Sequence, residues 1–578
     1  MNGRLKWAVY GWMALASGAA FGAWPHESVL PHAYFAEKPD FAFDASGRMV
    51  VACVADESVA GSRRFIKVMV DGTSGWSFEN TVPVDSLGAV VEDLRLVLSN
   101  SEARVFAVIA APDAQGNPVR RVYRVERRSS RIGDWRAVLV GGAPPGGPGD
   151  AVRMQVYPDG SVWALRVQPG SGAGARLTWQ YAASASWIPL APISLPAGET
   201  VVDVAAAGDA SGVFHAVALL YNSRSSAAYS LKYFAFNAAA PAWTEETVVS
   251  PTPYPLAGPV LALSPWGGPQ ALCRIQLQPG SPQGLFYTVR NGPGVWAPEL
   301  VDIADFINGW DLAVDSRGIP HAAYHGRKGA QYLDRYATRY NDYTFARWTV
   351  SQSYNLTRDQ CLRLDAAGVP HILFVTTEDF PKLDASLIHA RALRYDIRGF
   401  VVERLTAALV GLARVKLTWE GGAESIQFLS DVKGEYVFPA LPSDHYSVSM
   451  DNQKGFRFVP RFAGGTAYEF RPLAQNESRK DFYAVGLYSI SGRVMDLFGR
   501  GKAHLQMGLW DAGAGRWRYT TTDASGAYVF SEVASKSYTI RPQDARYTYT
   551  PASRSYPTVT NSLVAQNFTI NFTPVPLP

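Results

Sequence analysis

The sequence predicts an all-β chain: a seven-bladed β-propeller followed by two tandem β-sandwich domains. Three observations point there. A tryptophan recurs seven times at steps of 52 to 59 residues, a short turn built on Asp and Gly follows most copies at a similar distance, and the last third carries a different repeat with a 92-residue offset. Composition agrees, since 51 Gly, 38 Pro, 16 Trp and 28 Tyr in 578 residues favour short strands and tight turns over long helices. One core is excluded at this length, because single cores stop growing near about 250 to 300 residues.

The elements follow in chain order. Arg4 and Lys6 precede an apolar stretch (WAVYGWMALASGAAFGA) with small residues at Gly22 and Ala23. That order reads as a signal peptide over 1–23, and so as a secreted or cell-surface protein. The apolar run is shorter and weaker than the roughly 20 residues a membrane span requires, and no transmembrane span is expected in the mature chain. A formal net charge of +4, half of it from the leader, does not suit a nucleic-acid partner. Cys53, Cys273 and Cys361 are odd in number and lack metal-ligand spacing. They read as buried thiols, with no metal and no cofactor expected.

Residues 24–395 hold the first repeat, marked by Trp24, Trp76, Trp135, Trp187, Trp243, Trp296 and Trp348. Its clearest turns are FAFDASGRM (Asp44), DVAAAGDASGVFHAV (Asp209), DLAVDSRGIPHAAY (Asp315) and LRLDAAGVPHILF (Asp365). An Asp opening the turn bonds its own backbone, and the Gly tolerates positive φ. Each unit of about 54 residues then reads as strand, tight turn, strand, loop, third strand, and a fourth opened by the Trp. Such a unit cannot bury both faces alone. Packing blade on blade solves that, with the Trp as an aromatic wedge between neighbours. Blade seven has only three strands of its own between 361 and 395, so WPHESVL at 24–30 is expected to close it; the rival is GFVVERL at 399–405. Closure removes two open sheet edges.

The second repeat argues against the rival. SDVKGEYVFPALPSDHYSVSM from Ser430 matches TDASGAYVFSEVASKSYTIRP from Thr522, with Tyr436 and Tyr528, and Phe438 and Phe530, each 92 apart. Upstream, IRGFVV from Ile397 matches ISGRVM from Ile490. Two sandwiches at 396–485 and 486–578 follow. The run ISGRVMD, the block from Thr522 and YTYTPASRSYPTV resemble the carboxypeptidase regulatory-like, prealbumin-type sandwich module, closely over 488–572 and more loosely over 397–485. That resemblance implies spacing and display. The D-x-x-G-x-P-H turns resemble the repeats of bacterial secreted propellers of the sialidase-like (BNR-type) group across roughly 24–395, although the Ser-x-Asp box of that group is missing and no arginine triad can be assigned.

Nucleophile elbows, phosphate loops, H-E-x-x-H and calcium-loop patterns are absent. Four features remain. His215, His321 and His371 each stand three residues after a turn Gly, a repeated slot that reads as a structural device bonding the same backbone group in each blade. Tyr324 and His325, beside Arg327 and Lys328, are expected at a loop lip, where a base next to cations suits proton abstraction beside a carboxylate; the alternative is a solvated hairpin tip. Arg63, Arg64, Arg120, Arg121, Arg176, Arg224, Arg327 and Lys328 form a rim suited to attracting acidic glycans, but Asp56, Glu57, Asp113, Glu378 and Asp379 share those loops, so the rim reads first as solubility. Most specific are Asp40, Asp93, Asp203, Asp311 and Asp359, near the starts of first strands and four or six residues before their turns. An even spacing keeps them on one side of the strand. Facing the channel, they would crowd its mouth, where carboxylates raise one another's pKa, bind a cation or act as acid and base on a sugar; the alternative is that aspartates at strand starts satisfy free backbone donors.

The leading expectation is an exported, non-catalytic binding or adhesion protein whose propeller face recognises a polysaccharide or cell-surface protein, with the sandwiches as a display stalk. The alternatives are a polysaccharide-active enzyme, uronate lyase or glycoside hydrolase, working at the channel mouth, and a purely structural scaffold.

Overall fold

The computed structural model describes residues 24–571, apart from short internal stretches at 34–35, 57–62, 73–74, 87–89, 100–101, 130, 143–149, 158, 170–173, 184–185, 210, 238–241, 277–281, 342–343, 354–356, 378–384, 420–421 and 423. The leader at 1–23, Glu57, Glu378 and Asp379 lie outside the described residues. The chain divides after Leu393 into two units.

In the first unit seven antiparallel sheets of four strands follow one another, the third with a short extra strand. Their first strands are Ala36–Phe43, Val90–Ser99, Ala151–Val156, Glu199–Gly208, Leu256–Leu263, Phe306–Val314 and Thr357–Leu364. Each first strand packs on the next, and the seventh packs back onto the first, so these strands form the hub of a seven-bladed propeller. Middle strands are buried on both faces: Met49–Asp56 is buried throughout. Blade seven takes its outer strand from the chain's beginning, where His26–Ala33 pairs antiparallel with Ala385–Arg391. The strand Arg394–Glu403 lies in the second unit instead, between Glu435–Pro442 and Phe482–Gly486.

One side-chain column repeats between blades and explains both the tryptophans and the histidines. Trp296 of blade five packs on Tyr233 of blade four (5.2 Å between ring centres), whose hydroxyl meets His215 Nδ1 at 2.6 Å, while His215 Nε2 faces the turn carboxylate of Asp209 at 3.5 Å. Trp24 of blade seven packs likewise on Tyr336 of blade six (5.1 Å), which bonds His321, which faces Asp315. Trp76 of blade one meets His389 of blade seven, which bonds His371, which faces Asp365. The histidines thus bond a side chain of the third strand, not the common backbone group the sequence suggested.

A second clasp comes from a glutamate three residues after the Trp. Glu79 of blade one accepts from Trp135 Nε1 (2.8 Å) and from Arg127 of blade two. Glu246 of blade four accepts from Trp296 Nε1 (2.9 Å) and Arg290 of blade five, and Glu299 of blade five from Arg339 of blade six. The motif W-x-x-E occurs at Trp24, Trp76, Trp243 and Trp296.

Blade seven replaces the tyrosine of the column by His389, and this makes its closure acid-sensitive. Glu27 Oε1, on the closing strand, lies 2.6 Å from His389 Nδ1, and His389 Nε2 lies 2.9 Å from His371 Nδ1. Burial first, then repulsion from His389, pushes His371 down to about 4, against attraction from Asp365 and with further repulsion from Arg391. The unfolded chain therefore binds more protons below the ordinary value of 6.5, so stability is complete above that pH and falls as pH drops toward 4. We expect urea denaturation to show a loss of about 2 to 3 kcal/mol between pH 7 and 4.5, and His371→Gln to flatten that slope.

The second unit holds two sandwiches with the same strand order. In the first, one sheet is built on Arg394–Glu403 and faces a sheet built on Arg414–Trp419; in the second, Tyr488–Met495 and Gln506–Asp511 take those places. Tyr436 and Tyr528, 92 residues apart, bond the equivalent carbonyls of Lys480 and Gln566. The two sandwiches meet in a polar seam, where Lys536 Nζ lies 2.8 Å from Glu403 and 2.8 Å from Asp511, both buried. All three cysteines are buried free thiols, and burial pushes Cys53 and Cys273 up to about 12.

Candidate functional site

The first strands bulge near their starts, with register shifts at Glu37/Asp40, Val91/Asp93, Val201/Asp203, Asn308/Trp310 and Arg358/Cys361. A bulge re-aims the side chains beside it. Here it turns four of the five sequence-selected aspartates toward neighbouring blades. Asp40 Oδ2 accepts from the backbone of Leu96 in blade two (2.8 Å), Asp311 Oδ2 from Leu362 in blade seven (2.8 Å), and Asp93 Oδ2 more weakly from Met154 in blade three (3.5 Å). Asp203 bonds the backbone of Val204 at 2.8 Å.

Three arginines that the sequence reading missed complete the ring. Arg363 joins Asp40 (2.6 Å) to Asp311 (3.0 Å), Arg153 reaches Asp203 (3.0 Å), and Arg95 stands 3.4 Å from Asp93. Arg363 and Arg95 also feel each other and both Asp40 and Asp311, so these groups share one field. The expected crowd of mutually repelling carboxylates is therefore replaced by alternating charges. The physical reason is that buried carboxylates persist only when paired. A signal was present: LRL at 94–96, VRM at 152–154 and LRL at 362–364 put a lone Arg inside an apolar first strand, on the side the aspartates share.

Asp359 is the exception. It sits in the bulge of blade seven at φ 52°, and Lys38 occupies the matching bulge of blade one at φ 51°. Left-handed backbone at non-glycine residues costs of order 1 kcal/mol each and clusters at functional sites. Gly258 and Gly309 take the same sign of φ in blades five and six without that cost. Lys38, Asp93, Arg95, Asp359 and Gln360, with Pro39 and Leu94, line one cleft of about 120 Å³ at the hub. The Arg95 side chain remains 44% exposed there. Gln360 is buried, gives its amide N–H to Asp334 at 2.9 Å, and leaves its carbonyl oxygen without a hydrogen-bond partner among the described residues. Lys38 makes no ion pair among the described residues.

Tyr324 and His325 are not at a lip. Both are fully buried in the second strand of blade six, Pro320–Lys328, because the hairpin turns only at Gly329, one residue beyond Lys328. Tyr324 donates to Asp302 at 2.8 Å, and burial together with that carboxylate holds its phenol well above the ordinary range, the opposite of a base. His325 Nδ1 meets Asp334 at 3.1 Å and its ring stacks on Tyr332, over which Arg327 also lies at 5.9 Å. Tyr324 thereby ties blade six to blade five, and Asp334, the partner of His325, ties blade six to Gln360 of blade seven. No helix among the described residues is long and apolar enough to cross a membrane.

No family profile matches the chain, and no curated protein matches it in sequence. Among solved structures, polysaccharide lyase Uly1 is 9% identical with a TM-score of 0.42, covering 65% of this chain and 93% of its own. The Penicillium chrysogenum α-L-arabinanase complexed with arabinobiose is 11% identical with a TM-score of 0.37, covering 63% and 97%. The intramolecular trans-sialidase of Ruminococcus gnavus is 13% identical with a TM-score of 0.29, covering 62% and 94%.

Proposed function

We propose that this is an exported, non-catalytic binding protein in which the propeller hub recognises a carbohydrate or a hydroxyl-rich surface partner, and the sandwiches at 396–485 and 486–578 act as a display stalk of the prealbumin type. One observation carries the reading: the hub carboxylates are spent on arginines and backbone amides, while the cleft keeps an exposed guanidinium, a strained Lys38, a strained Asp359 and the orphan carbonyl of Gln360. A carboxylate fixed between a guanidinium and an amide has no proton to give and few lone pairs left to take one. Interleaved donors and acceptors match sugar hydroxyls, each of which both donates and accepts. The cleft accommodates a few substituents of one ring, so affinity is expected to be modest.

The test is retention of the full chain on an array of polysaccharides. We expect wild type to be retained and Arg95→Gln to lose about tenfold in affinity, as for loss of one charge-assisted bond. Wild type that is retained by no glycan, or that releases unsaturated or reducing ends from uronic polymers, overturns the proposal.

A further inference from the structure

The solvent face of the second sandwich departs from what a surface sheet normally presents. In the sheet Arg516–Thr521, Gln506–Asp511, Tyr538–Pro542, Arg554–Tyr556, the residues Met507, Leu509 and Ile540 point into the core. Alternation then puts Gly508, Trp510, Trp517, Tyr519 and Arg541 on the other face. Register confirms that they are neighbours: Trp510 pairs with Trp517, and Gly508 lies between Tyr519 and Arg541. Trp510 and Trp517 have ring centres 5.4 Å apart, and Trp517 and Tyr519 lie nearly parallel (17°) at 6.4 Å. Tyr519 is 54% exposed. The Arg541 guanidinium sits over Trp517 at 4.7 Å.

Gly508 keeps the middle of this face open. A Cβ there would meet the Gln543 amide at 2.2 Å and the Trp517 ring at 2.9 Å, so a side chain at 508 would displace the indole. The first sandwich supplies the comparison. Its equivalent strands pair in the same register, Lys416 with Gln427 and Ser449, and Thr418 with Ser425 and Ser447. Where one copy has Lys, Thr, Ser, Gln and Ser, the other has Gly, Trp, Trp, Tyr and Arg. The fold needs no aromatic residue at these positions, since the first copy does without them.

We propose that this face is a second binding site, a platform for the sugar rings of an acidic polysaccharide. Aromatic planes cover the C–H face of a pyranose and release water from it while the ring's hydroxyls stay solvated. Charge fixes the class. Of the strand residues on this face Arg541 alone carries a charge, and it makes no ion pair among the described residues. A guanidinium held flat by stacking loses little freedom on pairing with a carboxylate, which it takes in bidentate fashion. A uronic acid supplies both the ring face and the carboxylate. The site lies in a different domain from the hub cleft and stands independently of it.

The experiment is affinity electrophoresis of the full chain in gels containing polygalacturonic acid or dextran. Trp517→Ala and Arg541→Gln are tested alone and on the Arg95→Gln chain, in which the hub contribution is weakened about tenfold. All three positions face solvent, and an unchanged thermal midpoint verifies folding. Polygalacturonate should retard the Arg95→Gln chain, and each added substitution should weaken that retardation about tenfold, with dextran inert. Polygalacturonate should also quench indole fluorescence in that chain, and Trp517→Ala should abolish the change. Retardation untouched by both platform substitutions, equal retardation by dextran, or no retardation of the Arg95→Gln chain overturns the proposal. Loss on Arg95→Gln alone would bear out the hub and not the platform.

Discussion

Replacing Trp24 by alanine is expected to destabilise the propeller by about 3 to 5 kcal/mol, the range for emptying a buried aromatic site. Trp24 is 1% exposed and lies just before the strand that closes blade seven. Its ring fills the space against Tyr336 of blade six, so truncation leaves a cavity between two blades and loosens the strand that follows. The loss should show as a lower denaturation midpoint, and as protease cleavage near residues 26–33 that wild type resists. Trp296→Ala removes the same contact between blades four and five, within a continuous stretch of chain. It should cost less, because Trp296 is only half-buried, and should not expose the chain's beginning to protease. Equal cleavage in both variants would show that closure does not depend on the Trp24 contact.

The second large effect is expected at Arg363. Removing its guanidinium strands Asp40 and Asp311, whose side chains are 5% and 19% exposed, leaving them the weaker field of Arg95. Breaking a buried pair from one side costs about 3 to 5 kcal/mol, and the one-third exposure of Arg363 lowers the expectation to about 2 to 3 kcal/mol. Arg363→Ala is therefore expected to lower the urea midpoint, and Asp40→Asn in the same chain to restore part of it by removing the stranded charge. If the double variant is less stable than Arg363→Ala, the Asp40 carboxylate is held by its amide bond from Leu96 and not by the ion pair.

The architecture was legible because its marks are periodic. Trp24 to Trp348 and the Asp-opened turns repeat with the blades, and the 92-residue offset of Tyr436 and Tyr528 repeats with the sandwiches. The site was only half legible. Asp40, Asp93, Asp203 and Asp311 were found by their spacing, but apart from Arg95, which shares a strand with Asp93, their arginine partners come from other blades, and sequence distance says nothing of what an adjacent sheet contributes: Arg363 reaches Asp40 across 323 residues. Tyr324 and His325 were misplaced because HGRKG reads as a loop by composition. In the structure Arg327 and Lys328 still belong to the strand, and polar groups survive there by pairing, as Lys328 does with Asp302. The aromatic face of the second sandwich escaped notice because Trp510 and Trp517 have no aromatic counterpart in the first copy, where Thr418 and Ser425 stand, and their sharing of one face emerges only once the register of two strands is known.

The joint in blade seven also orders events in time. His26 must pair with Ala390, and Glu27 with His389, so the first strand of the ring in chain order waits for its last. Long-range pairing of this kind is slow to form, because loop-closure entropy must be met before any contact rewards it. Until then two sheet edges stay open, a species prone to aggregate during folding. Such a chain gains from being kept unfolded until it is whole, and a fragment ending before residue 385 would have no native resting place for its first strand.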